Sequence, residues 1–317
     1  MLAKAYRMWL PLVKKMGYIK GTYLFFLRAF FRNLYSKAII KILKKEMKDV
    51  IGKYKKLPYV NKKNEVEEYE RAVWIFWYQG YDNMPDIVKG CYKSIVDNLG
   101  NDKKDNIHLI TKYNIKDYVD IDINIINKIN NKNITITHFS DILRAALLKK
   151  YGGCWIDATC FVVDKPDDDI WKYEFYSQKY AEGKANFFND GKWSAYFLMC
   201  KKESIVFSYL NDFFEEYWRN NDYLIEYYLI DYALYIAYNE IDVIKKIIDK
   251  VPENNPEVMT ICEKWNDNIN DIKLNNIVKN NWFLKLTWKE KIDFDAEKQT
   301  VAAGFYKIYI DKYLNSV

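Results

Sequence analysis

The chain has 317 residues, half of them hydrophobic, and its 49 Lys and Arg outweigh 43 Asp and Glu to give a net charge of +6. This length allows one large or two small domains with a substantial apolar core. Five scattered Cys without a Cys-x-x-Cys pair argue against a disulfide framework or a structural zinc site, and favour reduced thiols in a cytoplasmic protein. With only His108 and His138, the chain is poorly suited to a His-rich metal site or a Ser-His-Asp arrangement.

The basic residues are concentrated at the start of the chain. Residues 1–56 carry 15 Lys and Arg but only Glu46 and Asp49, a net charge of +13, so the rest of the chain carries −7. Bulky apolar residues lie between these charges, but Arg28 and Arg32 interrupt the longest apolar stretch, which is too short to cross a membrane. No small-residue cleavage site of a signal peptide follows it.

We predict that residues 1–56 form a basic, amphipathic helical arm that lies on an anionic membrane surface. The alternative is a helical hairpin packed on the rest of the chain, with its Lys face in solvent. Nucleic-acid binding is not predicted, because no other part of the chain resembles a nucleic-acid-binding module.

Residues 57–70 form a polar linker in this prediction, and residues 71–317 show the alternating strand and helix patterns of an α/β domain. Strands are predicted at residues 71–78, 107–111, 175–177 and 193–200, and helices at residues 86–98, 121–131 and 203–238.

The segment THFSDILRAALLKKYGGCWIDATCF, residues 137–161, couples a helix, a Gly-Gly turn and a short buried strand. Ser140 is the predicted N-cap, which places Asp141 in the first helical turn. The two glycines end the helix in a left-handed conformation. Asp141 and Arg144 are three residues apart and share one helix face.

Asp157 follows the predicted strand at residues 154–156. In open α/β sheets, ligands bind at the carboxyl ends of strands, so Asp157 is a candidate site residue. The alternatives are a surface salt bridge for the Asp141–Arg144 pair and a turn-forming role for Asp157. The combination of all these features in one short segment favours a binding site.

The sequence SDILRAALLKKYGGCWIDAT resembles the donor-site signature of glycosyltransferases with the GT-A fold. It is most similar to the capsular polysaccharide synthesis group, which resembles the retaining glycosyltransferase family 32 of yeast mannosyltransferases and clostridial glucosylating toxins. Similar segments at residues 73–80, 85–95, 193–218 and 284–289 extend the resemblance over about residues 70–290. It implies a GT-A (Rossmann-like) nucleotide-sugar-binding domain with added helices.

The resemblance also implies roles for individual residues. Asp141 and Arg144 would hold the donor sugar hydroxyls and the diphosphate, which suits a carboxylate acceptor and a bidentate guanidinium. Trp77 would stack on the uracil ring of a UDP-sugar. Thr287 and Trp288 resemble the Ser and Trp of a mobile loop that closes over the diphosphate, although a core role is the alternative for Trp288.

Asp157 matches the first residue of the family's Asp-x-Asp motif, but Thr159 stands where the second Asp is expected to bind Mn²⁺ directly. A neutral hydroxyl is a poorer ligand for a hard cation than a carboxylate oxygen. Three alternatives remain. Asp157 alone holds Mn²⁺ or Mg²⁺, another carboxylate completes the site, or Arg and Lys side chains carry the charge of the leaving group.

Two further carboxylates are candidate catalytic residues. Asn189-Asp190 precede a predicted strand, near the place where retaining GT-A enzymes hold a polar group beneath the anomeric carbon; a simple Asn-Asp-Gly turn is the alternative. Asp231 lies on a predicted helix with an apolar opposite face, and would contact the acceptor or act as a base. Its alternative is an exposed or tyrosine-bonded carboxylate.

With this resemblance, the sequence predicts a hexosyltransferase that uses a nucleotide sugar, UDP-linked in this prediction, and a lipid-linked saccharide acceptor in capsular or surface polysaccharide synthesis. The resemblance implies that the enzyme retains the anomeric configuration. Its predicted location is the cytoplasmic face of the cell membrane, with peripheral attachment. The alternative, suggested by the missing second Asp, is a non-catalytic nucleotide-sugar- or glycan-binding protein on the membrane.

Overall fold

The computed structural model describes residues 2–58, 71–100, 105–184, 188–295 and 297–315, so most of the predicted linker at 57–70 lies outside the described residues. The strands are β1 (Arg71–Phe76), β2 (Asp105–Ile110), β3 (Gly153–Ile156), β4 (Cys160–Val162), β5 (Phe175–Ser177), β6 (Phe197–Cys200) and β7 (Phe283–Lys285). The helices are α1 (Leu2–Met16), α2 (Tyr18–Phe30), α3 (Arg32–Glu46), α4 (Lys48–Lys55), α5 (Asp86–Leu99), α6 (Ile115–Tyr118), α7 (Ile123–Asn130), α8 (Ile136–Tyr151), α9 (Ile205–Asn220), α10 (Leu229–Glu240), α11 (Asp242–Asp249), α12 (Thr260–Glu263), α13 (Leu274–Asn280), α14 (Val301–Phe305) and α15 (Asp311–Asn315).

A mixed sheet with strand order β2-β1-β3-β6-β5 forms the centre of the domain. β1 pairs in parallel with both β2 and β3, whereas β6 runs antiparallel to β3 and β5. The predicted α/β fold with a Rossmann-like parallel core is confirmed. Because the chain leaves β1 for β2 on one side and reaches β3 on the other, the carboxyl ends of β1 and β3 flank a switch point, where ligands bind in such sheets.

The Gly-Gly turn between α8 and β3 has the predicted backbone conformation. Gly152 and Gly153 have φ angles of +69° and +88°, and a Cβ on Gly153 would overlap the carbonyl oxygen of Ala72 on β1. A side chain is therefore excluded where β3 joins β1. The predicted N-cap was wrong: α8 begins at Ile136, and the Thr135 hydroxyl accepts the N-cap hydrogen bond, while Ser140 lies within the helix.

Two other predicted boundaries differ from the structure. The strand expected at residues 193–200 is confined to β6, because residues 194–197 form a turn closed by a hydrogen bond from Phe197 N to Ser194 O. The helical region expected at residues 203–238 is divided into α9 and α10. The intervening residues 221–228 carry Tyr227 and Tyr228 towards the switch point.

A two-stranded sheet of β4 and β7 lies next to the carboxyl end of β3. The two strands are antiparallel, and Lys285 on β7 lies opposite Cys160 on β4. Leu286 N extends the pairing by donating a hydrogen bond of 2.8 Å to Thr159 O. This small sheet therefore fixes the chain around residue 285 beside the segment that follows β3.

The basic N-terminal segment is helical, as predicted, and α3 and α4 pack against α9 and α10. Ile39 and Leu43 of α3 are fully buried, and Lys53 of α4 forms an ion pair of 2.6 Å with Asp212. In contrast, large side chains of α2, of Phe31 and of the start of α3 are exposed: Tyr18, Ile19, Tyr23, Phe26, Phe30, Phe31 and Leu34.

The helical segment also contacts the loop before α10. Glu226 is buried and accepts a hydrogen bond of 2.6 Å from the Tyr35 hydroxyl, and Arg28 Nη2 lies 3.2 Å from its second oxygen. Glu226 directly precedes Tyr227 and Tyr228, so these contacts join the segment to the loop that reaches the switch point. Among the described helices, none combines the length and the apolar character needed to span a bilayer.

Candidate active site

Two cavities meet at the carboxyl ends of β1 and β3. One, of about 600 Å³, is lined by carboxylates and is called the acidic cavity. The other, of about 700 Å³, is lined by three tryptophans, Trp77, Trp155 and Trp288, and is called the aromatic cavity. The side chains that line both cavities are Thr137, Asp157, Tyr227, Tyr228, Met259 and Lys285.

Four of the donor-binding residues predicted from the sequence line the aromatic cavity, and one of them, Asp157, lies at the junction of the cavities. Trp77 follows β1, while Thr287 and Trp288 follow β7. The rings of Trp77 and Trp288 meet edge to face, with centroids 5.6 Å apart. Trp288 is 45% exposed, so it is not a core residue, and its ring is available to a ligand.

The acidic cavity contains the Asp141–Arg144 pair, which is buried and therefore not a surface salt bridge. Arg144 Nη2 lies 3.0 Å from Asp141 Oδ1. The guanidinium also donates to Ser140 O and Ala195 O and stacks on the Trp155 ring at 4.8 Å. Because protein acceptors take most of its donors, Arg144 sets the charge and shape of the cavity wall.

Asp157 lies at the junction of the two cavities and keeps 29% of its side-chain surface exposed. Its Oδ1 accepts a hydrogen bond of 3.0 Å from Trp155 Nε1 and lies 3.7 Å from Arg144 Nη2, and its Oδ2 lies 3.0 Å from Lys285 Nζ. Burial raises the pKa of Asp157, but Lys285 and Arg144 outweigh burial and hold the pKa below its usual value. Asp157 is therefore ionised at neutral pH.

Asp231 lies in the wall of the acidic cavity and is buried. Its Oδ1 accepts a hydrogen bond of 3.0 Å from Trp193 Nε1. Burial, and next the charge of Asp141, raise the pKa of Asp231 to about 7, against the effects of Trp193 and Arg144. A carboxylate that titrates near neutral pH in a cavity can exchange a proton with a bound hydroxyl.

Asp190 is not among the residues that line either cavity. It is 41% exposed, lies 3.5 Å from Lys192 Nζ and has a φ angle of +51° in the turn before Trp193. Its neighbour Asn189 is buried, lines the acidic cavity and donates to Trp193 O at 3.0 Å. The turn-forming alternative thus fits Asp190, whereas the neighbouring Asn189 places a polar side chain in the wall of the acidic cavity.

A model of the family described as "Capsular polysaccharide synthesis protein" matches residues 22–306. The chain belongs to this family. A protein named O-glycosyltransferase braB, from Annulohypoxylon truncatum, is 34% identical over 110 residues, which make up 32% of this chain and 26% of that protein. The chain thus matches about a quarter of the length of this curated relative. The predicted membership of the capsular group is confirmed, and the family match includes every side chain of the two cavities.

Sequence reasoning missed several polar contacts of the site in this family member. His138 Nε2 accepts a hydrogen bond of 3.0 Å from Trp218 Nε1, and its Nδ1 lies 3.4 Å from Asp141 Oδ2. Trp155 and Trp193 orient Asp157 and Asp231 in the same way. The sequence carries only a general signal for these contacts: a buried indole N–H requires an acceptor, but the identity of that acceptor is not evident from the sequence.

Lys285 was missed as well, although the residues around it carry a signal for a functional lysine. It stands in the strand of Phe-Leu-Lys between apolar neighbours, where a Lys is expected only if a carboxylate or a ligand compensates the charge. Its side chain is 16% exposed and contacts both Asp157 and the Thr159 hydroxyl.

A divalent cation, which the family's Asp-x-Asp motif implies, does not fit these residues. Both oxygens of Asp157 face basic groups, and the Thr159 hydroxyl accepts from Lys285. Within the part of the chain that the structure describes, no three His, Cys, Asp or Glu side chains are grouped to hold a metal ion. A hard cation normally takes several oxygen ligands of its own.

Proposed function

We propose that the protein is a glycosyltransferase that moves a hexose from a nucleotide sugar, UDP-linked in this proposal, to a saccharide acceptor. The observation that carries the proposal is the position of Asp157 and Lys285 at the junction of an aromatic and an acidic cavity. Membership of the capsular family and the name of the fungal relative support glycosyl transfer in general.

The aromatic cavity suits the nucleotide. Trp77 and Trp288 offer flat, partly exposed rings for a base, and Thr287, Lys289 and Lys285 line the same cavity. A nucleoside diphosphate placed there would direct its phosphates towards Asp157 and Lys285, where this cavity meets the acidic one. Apolar walls with a few convergent polar groups are typical of such sites.

The acidic cavity suits the sugars. Asp141, Asp231 and Asn189 present oxygens and an amide to hydroxyl groups, and Tyr227 and Tyr228 supply rings on which sugar faces can pack. In this proposal the donor hexose lies near Asp141, and the acceptor hydroxyl lies near Asp231. Both carboxylates are held by fixed indole or guanidinium donors, which orients them before a ligand arrives.

The proposed reaction breaks the bond between the anomeric carbon and the diphosphate oxygen, and both electrons leave with that oxygen. The acceptor oxygen forms the new bond to the anomeric carbon, and its proton passes to Asp231. Retention, which the family resemblance implies, requires the acceptor to approach from the face that the diphosphate leaves. Asp141 and Asn189 would then stabilise the positive charge that develops at the sugar ring.

The substitution Trp77→Ala tests the nucleotide position. Loss of one base–aromatic stack should weaken UDP binding about tenfold or more, measured by calorimetry on the purified full-length chain. Tyr113→Ala is the matched control, because Tyr113 is an exposed aromatic residue away from both cavities. Equal UDP affinity of both variants would contradict the placement of the base.

Hydrolysis of the donor separates an enzyme from the alternative, a nucleotide-sugar-binding protein without activity. A glycosyltransferase releases UDP slowly from a UDP-hexose in the absence of acceptor, because water can replace the acceptor hydroxyl. A panel of nucleotide sugars that raise the melting temperature identifies the donor first, since a ligand stabilises the folded state by mass action. Tight binding without release of UDP would favour the binding protein.

We further propose that the acceptor is lipid-linked and that the basic segment attaches the protein to the inner face of the membrane. The exposed side chains at the end of α2 and of Phe31 support this. The ring centroid of Phe26 lies 4.8 Å from that of Phe30 and 6.1 Å from that of Phe31, so the three rings form one contiguous apolar patch. The segment around the patch carries a net charge of +13. A large apolar patch bordered by basic residues is typical of a membrane-binding surface.

Replacement of the three exposed phenylalanines, Phe26, Phe30 and Phe31, by Ser should reduce binding to vesicles that contain anionic lipid. The remaining binding should then disappear at high salt, because salt screens only the electrostatic part. Tyr113→Ser/Ile123→Ser serves as the control, since both side chains are exposed elsewhere. Substitution is preferred to truncation, because removal of α3 would uncover α10. Failure of the intact protein to bind such vesicles would contradict the proposal.

A further inference from the structure

We propose that Lys285 takes the place of the divalent cation of an Asp-x-Asp glycosyltransferase, and that its ammonium group binds the donor diphosphate directly. This role rests on the proposed function, because it identifies the positive group that the leaving diphosphate meets. Of the three alternatives for the altered motif, the proposal selects the one in which a basic side chain replaces the metal. It identifies that side chain as Lys285.

The backbone places Lys285 beside the altered motif independently of its side chain. The pairing of Lys285 with Cys160 and the hydrogen bond from Leu286 N to Thr159 O fix β7 against the residues that follow Asp157. The side chain of Lys285 therefore lies close to the junction of the cavities, and it lines both of them.

The contacts of the ammonium explain why a Thr stands at the second motif position. Lys285 Nζ lies 3.0 Å from Asp157 Oδ2 and donates to Thr159 Oγ1, and it lies 5.4 Å from the centre of the Tyr196 ring. An ammonium has three N–H donors. Among the described residues, two oxygens accept from it, which leaves one donor for a phosphate oxygen in the cavities.

The net charge of the site is unchanged if Lys285 replaces the divalent cation and Thr159 replaces the second Asp. A divalent cation between two Asp side chains forms a site with no net charge. Lys285 with Asp157 and a neutral Thr159 also forms a site with no net charge, because one positive and one negative charge have been removed together. The burial of Lys285 makes its charge more effective towards a diphosphate than it would be in water.

In the proposed step, the bond between the anomeric carbon and the diphosphate oxygen breaks, and both electrons pass to that oxygen. Lys285 donates a hydrogen bond to the diphosphate and keeps its proton. It therefore stabilises the negative charge of the leaving diphosphate without transferring a proton. The acceptor oxygen bonds to the anomeric carbon and releases its proton to Asp231. The products are the glycosylated acceptor and the free nucleoside diphosphate.

The test uses inorganic pyrophosphate and UDP as probes with the full-length protein. Calorimetry in EDTA and in Mn²⁺ should give closely similar affinities for both probes, and release of UDP from a donor should continue in EDTA. Lys285→Met should lower pyrophosphate affinity and reduce donor turnover by about a hundredfold, and Mn²⁺ should not restore either. Lys279→Met, a change of an exposed Lys on α13, is the matched control.

A second variant covers the case in which Lys285→Met does not fold. Thr159→Asp keeps the ammonium but gives it a second carboxylate, so pyrophosphate binding in EDTA should weaken. Unchanged pyrophosphate affinity in every variant that folds would overturn the role of Lys285. A native protein that binds pyrophosphate and releases UDP only with Mn²⁺ would also overturn it, while leaving the proposed function intact. Absence of binding and release in both buffers would overturn the proposed function itself.

Discussion

Replacement of Asp157 by Asn is expected to reduce turnover of the nucleotide-sugar donor by about two orders of magnitude or more, the scale of losing one key electrostatic group. The Asn side chain has the same shape, but it no longer balances Lys285 and Arg144, which lie 3.0 Å and 3.7 Å from the carboxylate oxygens. The ammonium would then lose its fixed position at the junction of the cavities. Steady-state release of UDP, with and without acceptor, measures the effect.

The control for this substitution is Asp169→Asn, which removes a carboxylate from an exposed ion pair with Lys172. Pairs of this kind contribute little to stability or function. Circular dichroism should show that both variants keep the native fold. Donor turnover by Asp157→Asn at the rate of the Asp169 control would show that Asp157 is not part of the reaction.

Replacement of Asp231 by Asn is expected to reduce transfer to the acceptor by about 10²- to 10⁴-fold, the range for loss of a general base. Asn can still accept the hydrogen bond from Trp193 through its amide oxygen, so the cavity wall should persist. The rate of slow donor hydrolysis should fall less than the rate of transfer, because Asp231 accepts the proton of the acceptor hydroxyl in the proposed reaction. Parallel assays of transfer and hydrolysis separate the two effects.

The raised pKa of Asp231 predicts a pH dependence with a definite sign. Transfer by the native protein should increase as the pH rises through about 7, because the base must be ionised, and the Asn variant should lack this rise. The stability should change in the opposite direction. The folded state holds the proton of Asp231 up to about pH 7, whereas the unfolded chain releases it near 3.8. The native protein should therefore lose stability relative to the variant between these two pH values.

Thermal or urea unfolding of both proteins from pH 4 to pH 8 measures the stability difference. A constant difference over this range would show that Asp231 titrates normally. A rise in transfer through neutral pH that persists in Asp231→Asn would assign the proton to another group in the acidic cavity. The second result would remove Asp231 from the proposed reaction, and the first would show that burial does not raise its pKa.

The parts of the fold that depend on neighbouring residues could be predicted from the sequence. The Gly-Gly turn and the apolar strand before Asp157 follow from local conformational rules, and they placed this carboxylate at the correct edge of the sheet. Ser140 was mistaken for the N-cap because Thr135 is an equally good cap, and a serine inside a helix can bond back to a carbonyl, as Ser140 does to Thr137. The sequence offers no rule to choose between them.

The contact between Asp157 and Lys285 could not be predicted in this way. The two residues are 128 positions apart, and they meet only because β7 pairs with β4. The residue pattern of a three-residue strand is too short to predict which strand it pairs with. Asp190 illustrates the same limit at short range, because the sequence Asn-Asp-Gly does not reveal which of its two polar side chains faces the cavity.

The link between Glu226 and the residues Arg28 and Tyr35 has a geometric consequence on a membrane. In the proposed membrane-bound state it would hold this wall of the acidic cavity at a constant height above the lipid headgroups, because Tyr227 and Tyr228 line the cavity and directly follow Glu226. A saccharide that grows from a lipid carrier moves its reactive end away from the bilayer with every sugar that is added. An enzyme held at one height would meet that end at a single stage of growth, and would thus add one particular sugar of the repeating unit rather than extend the polymer.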